Sequence, residues 1–282
     1  MNARGQGPGE YTDINAFAVN ASLHQLVIYD NMKQSLMFYS TEDGRFVKSE
    51  KFNKPTPAEI AYWGGYFFYH NRLHRNYQDD ISLHYYLLAS KDGITIGKRY
   101  FKHENNKEDY PFSPSGHNLY DNNSKLYYCR DFDNIVYQIH EDSVVPRFRI
   151  NLPNPLPASM IEERPNEMSL LRSGYSLGIT DIYEYGGLLF FRFVKDGYIW
   201  SCLYNVEESK QVYCAKRIKF LDSSLIDTID GIYKDCFYSI LTPEYLDYAF
   251  SENPLEDYPD LFKTYDVEGD NPVIAFYRAV VR

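Results

Sequence analysis

Five oxygen-bearing side chains stand at the start of an apolar run that recurs along the chain. They are Asn15 in "NAFAV", Glu59 in "EIAYW", Asn118 in "HNLYD" with His117 beside it, Asp181 in "TDIYEY" and Asp230 in "DGIYK". Gathered around one axis, these carboxylates and amides would form a ring of oxygens. Such a ring could take Ca²⁺, which wants about six to eight oxygen ligands. Glu59, Asp181 and Asp230 could instead act as acid–base groups, or hold a metal that activates water. Spread along a solvated channel wall, the same residues would do no chemistry. The alignment is sensitive, because a slip of one residue turns every strand side chain to the opposite face.

A second group sits in one stretch, "YHNRLHRNYQDD", with His70, Arg72, His74, Arg75 and Tyr77. It reads as a loop after a strand, a place where binding residues often lie. Arg beside aromatic rings could grip a carboxylate or a sugar acid. His70 and His74 are four apart, a spacing that shares a face only on a helix, and no helix is expected there, so zinc is not expected. Metalloprotease and nucleotide motifs of the HExxH and P-loop types are absent from the sequence. "SGH" at Ser115–His117 reads as a turn. Apart from the Ca²⁺ option, no cofactor is expected.

The elements that must carry these residues are strands. The chain has 28 Tyr and 18 Phe among 282 residues, and aromatics favour half-buried pleated surfaces. Short aromatic or β-branched runs alternate with turn residues, as in "QLVIYD" and "SLMFYS", and Asp43–Gly44 and Asp92–Gly93 suit tight hairpins. Five segments share one layout of strand, turn and strand, and they recur every 45 to 60 residues or so. That is the period of propeller blades, twisted four-stranded sheets packed face to face. The expectation is one all-β domain over residues 1–282, a β-propeller with about five blade units. Only 156–172, interrupted at Pro165, and 242–265 read as helical.

Net charge is −10, from 39 acids against 29 bases. A nucleic-acid partner is therefore not expected, since that needs a concentrated basic face. No apolar run approaches the length of a membrane span, and residues 1–11 contain no signal-type apolar core. Cys129, Cys202, Cys214 and Cys236 lie in strand-like runs with no metal-type spacing. Buried thiols are the simple reading, and a Cys202–Cys214 bridge across one hairpin is the alternative.

Three passages resemble a known family. "GQGPGEY" at Gly5–Tyr11 is similar to a glycine-rich inter-blade loop of the six-bladed β-propellers found among exported proteins of gut bacteria, relatives of TolB-like and NHL-like propellers. "NIVYQIHEDSVVPRFRINLPNPLP" at Asn134–Pro157 and "EGDNPVIAFYRAVVR" at Glu268–Arg282 resemble that family's mid-chain stretch and closing strand. The resemblance implies a six-bladed parent whose signal and first blade precede "GQGPGEY", and hence a shortened chain. Its closing strand would then lack partners, and an unpaired edge invites association. It also implies a cell-envelope or extracellular setting. Two functions compete. One is a non-catalytic binding or scaffold propeller recognising a glycan, peptide or protein. The other is a propeller hydrolase or lyase working at the tunnel ring.

Overall fold

The structure is a computed structural model of the 282-residue chain. The described residues are 4–52, 56–71, 84–102, 116–122, 124–163, 165–216, 218–220, 223–226, 229–252, 262, 265–266, 268–269 and 271–278. Strands dominate and are antiparallel meanders. The first blade comprises β1 (Ile14–Asn20), β2 (Gln25–Asp30), β3 (Ser35–Ser40) and β4 (Phe46–Lys51). The second comprises β5 (Pro57–Trp63), β6 (Tyr66–Asn71), β7 (Tyr85–Ser90) and β8 (Ile96–Lys102). β9 (Leu119–Asp121), β10 (Leu126–Cys129), β11 (Ile135–Ile139) and β12 (Val144–Arg149) make the third. β13 (Ser176–Tyr185), β14 (Leu188–Lys195), β15 (Tyr198–Asn205) and β16 (Lys210–Ala215) make the fourth.

A two-stranded ribbon follows, β17 (Ile218–Phe220) with β18 (Ser223–Ile226). Among the described residues, the fifth blade then has three strands, β19 (Gly231–Tyr233), β20 (Cys236–Leu241) and β21 (Val273–Tyr277). The described residues also include three short α-helices: α1 (Ala158–Glu162), α2 (Glu167–Leu171) and α3 (Pro243–Glu252). They fall in the two stretches expected to be helical. The interruption at Pro165 separates α1 from α2, because a proline lacks the N–H that a continuing helix needs.

The architecture is an all-β propeller of five blades. The inner strands β1, β5, β9, β13 and β19 pack in that order, each on the next. The wedge between blades is filled by aromatic and aliphatic side chains. Val27, Tyr29, Tyr69 and Leu88 join blades 1 and 2. Phe68, Leu87, Tyr128 and Ile139 join blades 2 and 3. Tyr120, Tyr127, Ile179, Phe190 and Phe237 run through blades 3, 4 and 5. A fully buried side chain of this size stabilises the fold by roughly 1.5–3 kcal/mol. That explains the tyrosine content, because Tyr fills a wedge with its ring and places its hydroxyl on a polar atom.

The six-bladed count of the resembled family is corrected here: the chain forms five blades, the number its repeats predicted. "GQGPGEY" packs against the first of them. It folds back as a strap over the face of that blade opposite blade 2. Gly5 N–H donates to the Tyr11 carbonyl at 2.8 Å, closing the strap on itself. Tyr11 packs with Ile28, Met37 and Tyr39, and the Tyr39 hydroxyl donates to the Gly9 carbonyl at 3.2 Å. The Lys33 ammonium donates to the Gly7 and Glu10 carbonyls. Gly9 has φ of +76°, and a Cβ there would stand 2.8 Å from the Phe46 ring. Only glycine supplies both the backbone angle and the close approach.

Candidate functional site

Two of the five predicted ring positions, Asn15 and Glu59, bond the next blade directly, and in blades 3 and 4 Asn122 and Tyr183 do so. In blade 1, the Asn15 side-chain amide donates to the Pro57 carbonyl of blade 2 at 2.6 Å. In blade 2, Glu59 accepts from the Asn118 and Leu119 backbone N–H groups of blade 3, at 2.7 and 2.9 Å. In blade 3, Asn122 donates to the Ile182 carbonyl of blade 4 at 3.1 Å and accepts from the Glu184 N–H at 2.6 Å. In blade 4, the Tyr183 hydroxyl donates to the Asp230 carbonyl of blade 5 at 3.0 Å. Each blade thus reaches forward with a polar side chain to the backbone of its successor.

The remaining groups form a polar column across blades 2 to 4. Asn118 is buried, and its amide donates to the Cys129 carbonyl and to Asp131 Oδ1 at 2.9 and 3.1 Å. The Tyr120 hydroxyl bonds the His117 carbonyl and lies 3.4 Å from Thr180 Oγ1. Thr180 donates to Asp181 Oδ2 at 2.9 Å. Arg192 donates to the same oxygen from Nε and Nη2, both at 2.7 Å. Burial pushes the Tyr120 hydroxyl pKa well up, and the Asp181 carboxylate adds to the effect. His70 pairs with Glu59 across β5 and β6, and its Nδ1 lies 3.2 Å from the Tyr128 hydroxyl. Tyr128 too is raised, by burial first and then by Asp131.

Local backbone irregularity places this column. The β13–β14 register slips between Ser176 and Ile179 and again between Thr180 and Tyr183. The two bulges turn Asp181 toward Arg192 on the neighbouring strand. Asp181 itself has φ of +52°, a region that Asp tolerates better than most residues. Gly178, at φ +98°, lies against blade 3, where a Cβ would meet the Phe132 backbone at 2.7 Å. Bulges of this kind re-aim side chains.

Among the predicted residues, the column brings together His70, Glu59, Asn118 and Asp181, with His117 contributing its carbonyl. Asn15 lies apart, at an exposed position of β1. Asp230 lies on blade 5, where its carboxylate accepts from the Ile240 N–H at 2.6 Å. Arg72, His74 and Arg75 lie outside the described residues. Asn122, Tyr183 and Arg192 were not singled out from the sequence. For Asn122 a signal was present, since an Asn four positions after Asn118 closes the β9 run. For Arg192 none was, because its partner is set by bulges. Among the described residues, no three His, Cys, Asp or Glu side chains converge as metal ligands.

Other charged groups lie on the same interfaces. Glu184 accepts from Lys125 Nζ at 2.8 Å and from the Tyr127 hydroxyl, and Arg147 lies 3.5 Å away. Burial pushes the Glu184 pKa up, but these hydrogen bonds and cations outweigh it and the group ends below its ordinary value. Burial raises the Cys129 thiol well above its ordinary value, so it stays neutral and unreactive near pH 7. Cys202 and Cys214 face each other across β15 and β16 and form a disulfide, with Cα atoms 4.1 Å apart.

A family model for a domain of unknown function, DUF4934, matches residues 1–278. The chain belongs to the DUF4934 family. Among solved structures, this DUF4934 chain is similar to a Bacteroides fragilis NCTC 9343 protein described as exported. The TM-score is 0.74 at 16% identity, over 97% of this chain and 79% of that one. A DUF4221 family member from Bacteroides vulgatus ATCC 8482 aligns with TM-score 0.46 at 11% identity, over 74% of this chain and 68% of that one. BamB from Moraxella catarrhalis gives 0.42 at 7%, over 71% and 52%. The first likeness establishes the propeller fold, and the other two are too distant to carry an argument. No curated protein matches the DUF4934 chain. No helix among the described residues is long and apolar enough to cross a membrane.

Proposed function

We propose that this DUF4934 chain is a non-catalytic binding propeller of the bacterial cell envelope, recognising a glycan, peptide or protein partner. The observation that supports this reading is the use made of the inner-strand carboxylates. Glu59 accepts two backbone amides of the next blade, and Asp181 accepts a guanidinium and a hydroxyl. Groups held in this way fix the positions of blades. A general acid or a water-activating base needs hydrogen-bond reach toward a substrate instead. A rigid ring of this kind presents loops for recognition. The exported setting of the Bacteroides fragilis neighbour fits an envelope location, and so does the Cys202–Cys214 disulfide, since such bonds persist in oxidising compartments.

The test is to incubate the purified protein with envelope glycans, peptidoglycan fragments and peptides. Binding is followed by calorimetry and covalent change by mass spectrometry. Saturable binding without any change in mass of the ligand is expected. Catalytic turnover that disappears in Glu59→Gln or in Asp181→Asn would overturn the proposal in favour of a propeller hydrolase or lyase. Thermal melts with and without EDTA, with elemental analysis, address the Ca²⁺ option. No shift and no bound metal are expected.

A further inference from the structure

Two lysines of blade 2 converge on one ring. Lys91 Nζ lies 5.2 Å and Lys98 Nζ 4.8 Å from the centroid of Tyr66. The strand register puts them there. Tyr66 pairs with Trp63 across the Gly64–Gly65 turn, and Lys91 follows Ser90, the partner of Phe67. Lys98 pairs with Ala89, itself opposite Phe68. Residues opposite each other in an antiparallel sheet share a face. Trp63, Tyr66, Lys91 and Lys98 therefore stand together at one end of blade 2. Both rings are half-buried there, and Lys91 is exposed.

Among the described residues, neither ammonium group has a carboxylate partner. Lys98 donates to the Glu141 carbonyl of blade 3 at 3.1 Å, and Lys91 contacts the ring. The acids of the adjoining turns are engaged elsewhere. Asp92 accepts from Ser90 Oγ, from the Ile94 and Thr95 N–H groups and from the Thr95 hydroxyl. Asp142 accepts from the Ser143 hydroxyl. The Glu141 side chain packs on Gly64, where a Cβ would stand 2.8 Å from its Cγ. Lys48 in blade 1 makes the contrast. It lies 4.6 Å from the Phe38 ring and also pairs with Glu50. Two like charges gathered on one ring repel each other, and an anion beside them relieves that repulsion.

We propose that this end of blade 2 binds a sugar residue carrying a carboxylate, within an acidic glycan. The two ammonium groups take the carboxylate. The Trp63 and Tyr66 rings offer rigid apolar surface to the C–H face of the sugar. An acidic peptide would satisfy the ammonium groups and leave the rings without a partner. The assignment rests on the binding function proposed above and narrows its ligand class.

Calorimetry on the full chain with hexagalacturonate tests it, beside the methyl ester of that oligosaccharide and hexaglutamate of matching charge. Saturable binding of hexagalacturonate is expected, weakened by raised salt. Lys91→Ala and Lys98→Ala each weaken it about tenfold or more. Lys48→Ala removes a paired lysine and leaves binding within about twofold. The ester and the peptide bind at least about tenfold more weakly than the acid. Circular dichroism and melting confirm that the variants fold. Hexagalacturonate that does not bind, or that binds both lysine variants as well as the wild type, overturns the inference. Equal binding of hexaglutamate assigns the site to an acidic peptide and overturns it too. Where another envelope ligand binds and the lysine variants leave that binding intact, this inference falls alone. Where no ligand binds, or one is cleaved, the binding function falls with it.

Discussion

Blades 4 and 5 are neighbours built from similar residues, yet they are stabilised differently. Blade 4 has four strands, and Phe190, Phe193 and Leu189 on its two faces are all buried. It receives two hydrogen bonds from Asn122 and carries the disulfide. Among the described residues, blade 5 has three strands and one covered face, and a tyrosine hydroxyl from blade 4 bonds the start of its inner strand. The same aromatic-rich composition is a core in one case and an exposed surface in the other. What separates them is whether a neighbouring sheet is present to exclude water, since burial rather than residue type supplies the stabilisation.

The largest predicted effect tests that statement directly. Phe190→Ala in blade 4 should lower the stability by about 3–5 kcal/mol, from lost transfer energy and the cavity left behind. Phe276→Ala in blade 5 removes the same side chain from a site that is 53% exposed, and should cost about 0.5 kcal/mol or less. Urea unfolding of both variants measures the contrast. Similar losses at the two sites would mean that the open face of blade 5 is covered in solution.

The disulfide comes next. Cys202 and Cys214 are 12 apart in sequence and tie the third strand of blade 4 to its fourth. Replacing both by Ser should cost about 2–3 kcal/mol, for a loop this short. Reducing agent should lower the melting temperature of the wild type and leave the double variant unaffected. A wild-type melt indifferent to reductant would show that blade 4 does not depend on the bond.

Much of the fold was legible in the sequence, and the reason is local. "QLVIYD" and "SLMFYS" alternate with period two and are joined by short turns, so β2 and β3 follow without tertiary information. Asn15, Glu59, Asn118, Asp181 and Asp230 each lie in or beside an inner strand, because a polar residue next to an apolar run marks those strands in the sequence. Their partners were not legible. Glu59 bonds amides 59 and 60 positions away, and the Asp181–Arg192 contact depends on two register slips. Where the strap folds was not legible for a similar reason. "GQGPGEY" advertises unusual backbone angles, but its place depends on Phe46 and Tyr39, distant in sequence. That blade 5 has three strands among the described residues showed only as a loss of pattern after Leu241.

The forward-reaching hydrogen bonds give a smaller and graded comparison. Asn122→Ala removes three contacts of a buried amide, two of them to blade 4, and leaves the Glu184 N–H and the Ile182 carbonyl without it. The expected loss is about 2–3 kcal/mol. Tyr183→Phe removes one hydroxyl bond to blade 5 and should cost about 1 kcal/mol. Hydrogen exchange should place the first effect on amides of both blades 3 and 4, and the second on blade 5 alone. Uniform deprotection in either variant would show that the blades unfold as one unit.

The smallest effect concerns the strap on blade 1, which acid should convert into something like the open face of blade 5. Asp30 is buried, and burial pushes its pKa up. The Thr12 and Lys33 backbone N–H groups, at 2.6 and 2.9 Å, outweigh this and hold it below the ordinary carboxylate value. A depressed carboxylate contributes stability that is fully present above the unfolded pKa, near 4, and is lost as the pH falls through the folded value. Protonating Asp30 weakens its grip on Thr12 at the end of the strap, and residues 4–12 should then lift from Ile28 and Met37. As the pH falls below about 4, exchange of the strap amides should accelerate ahead of the inner strands, and binding of a hydrophobic dye should rise. Asp30→Asn should exchange its strap faster already at neutral pH, and its strap should lose most of the pH dependence. A strap whose protection persists until the whole propeller unfolds would show that Tyr39, Phe46 and Lys33 hold it without the carboxylate.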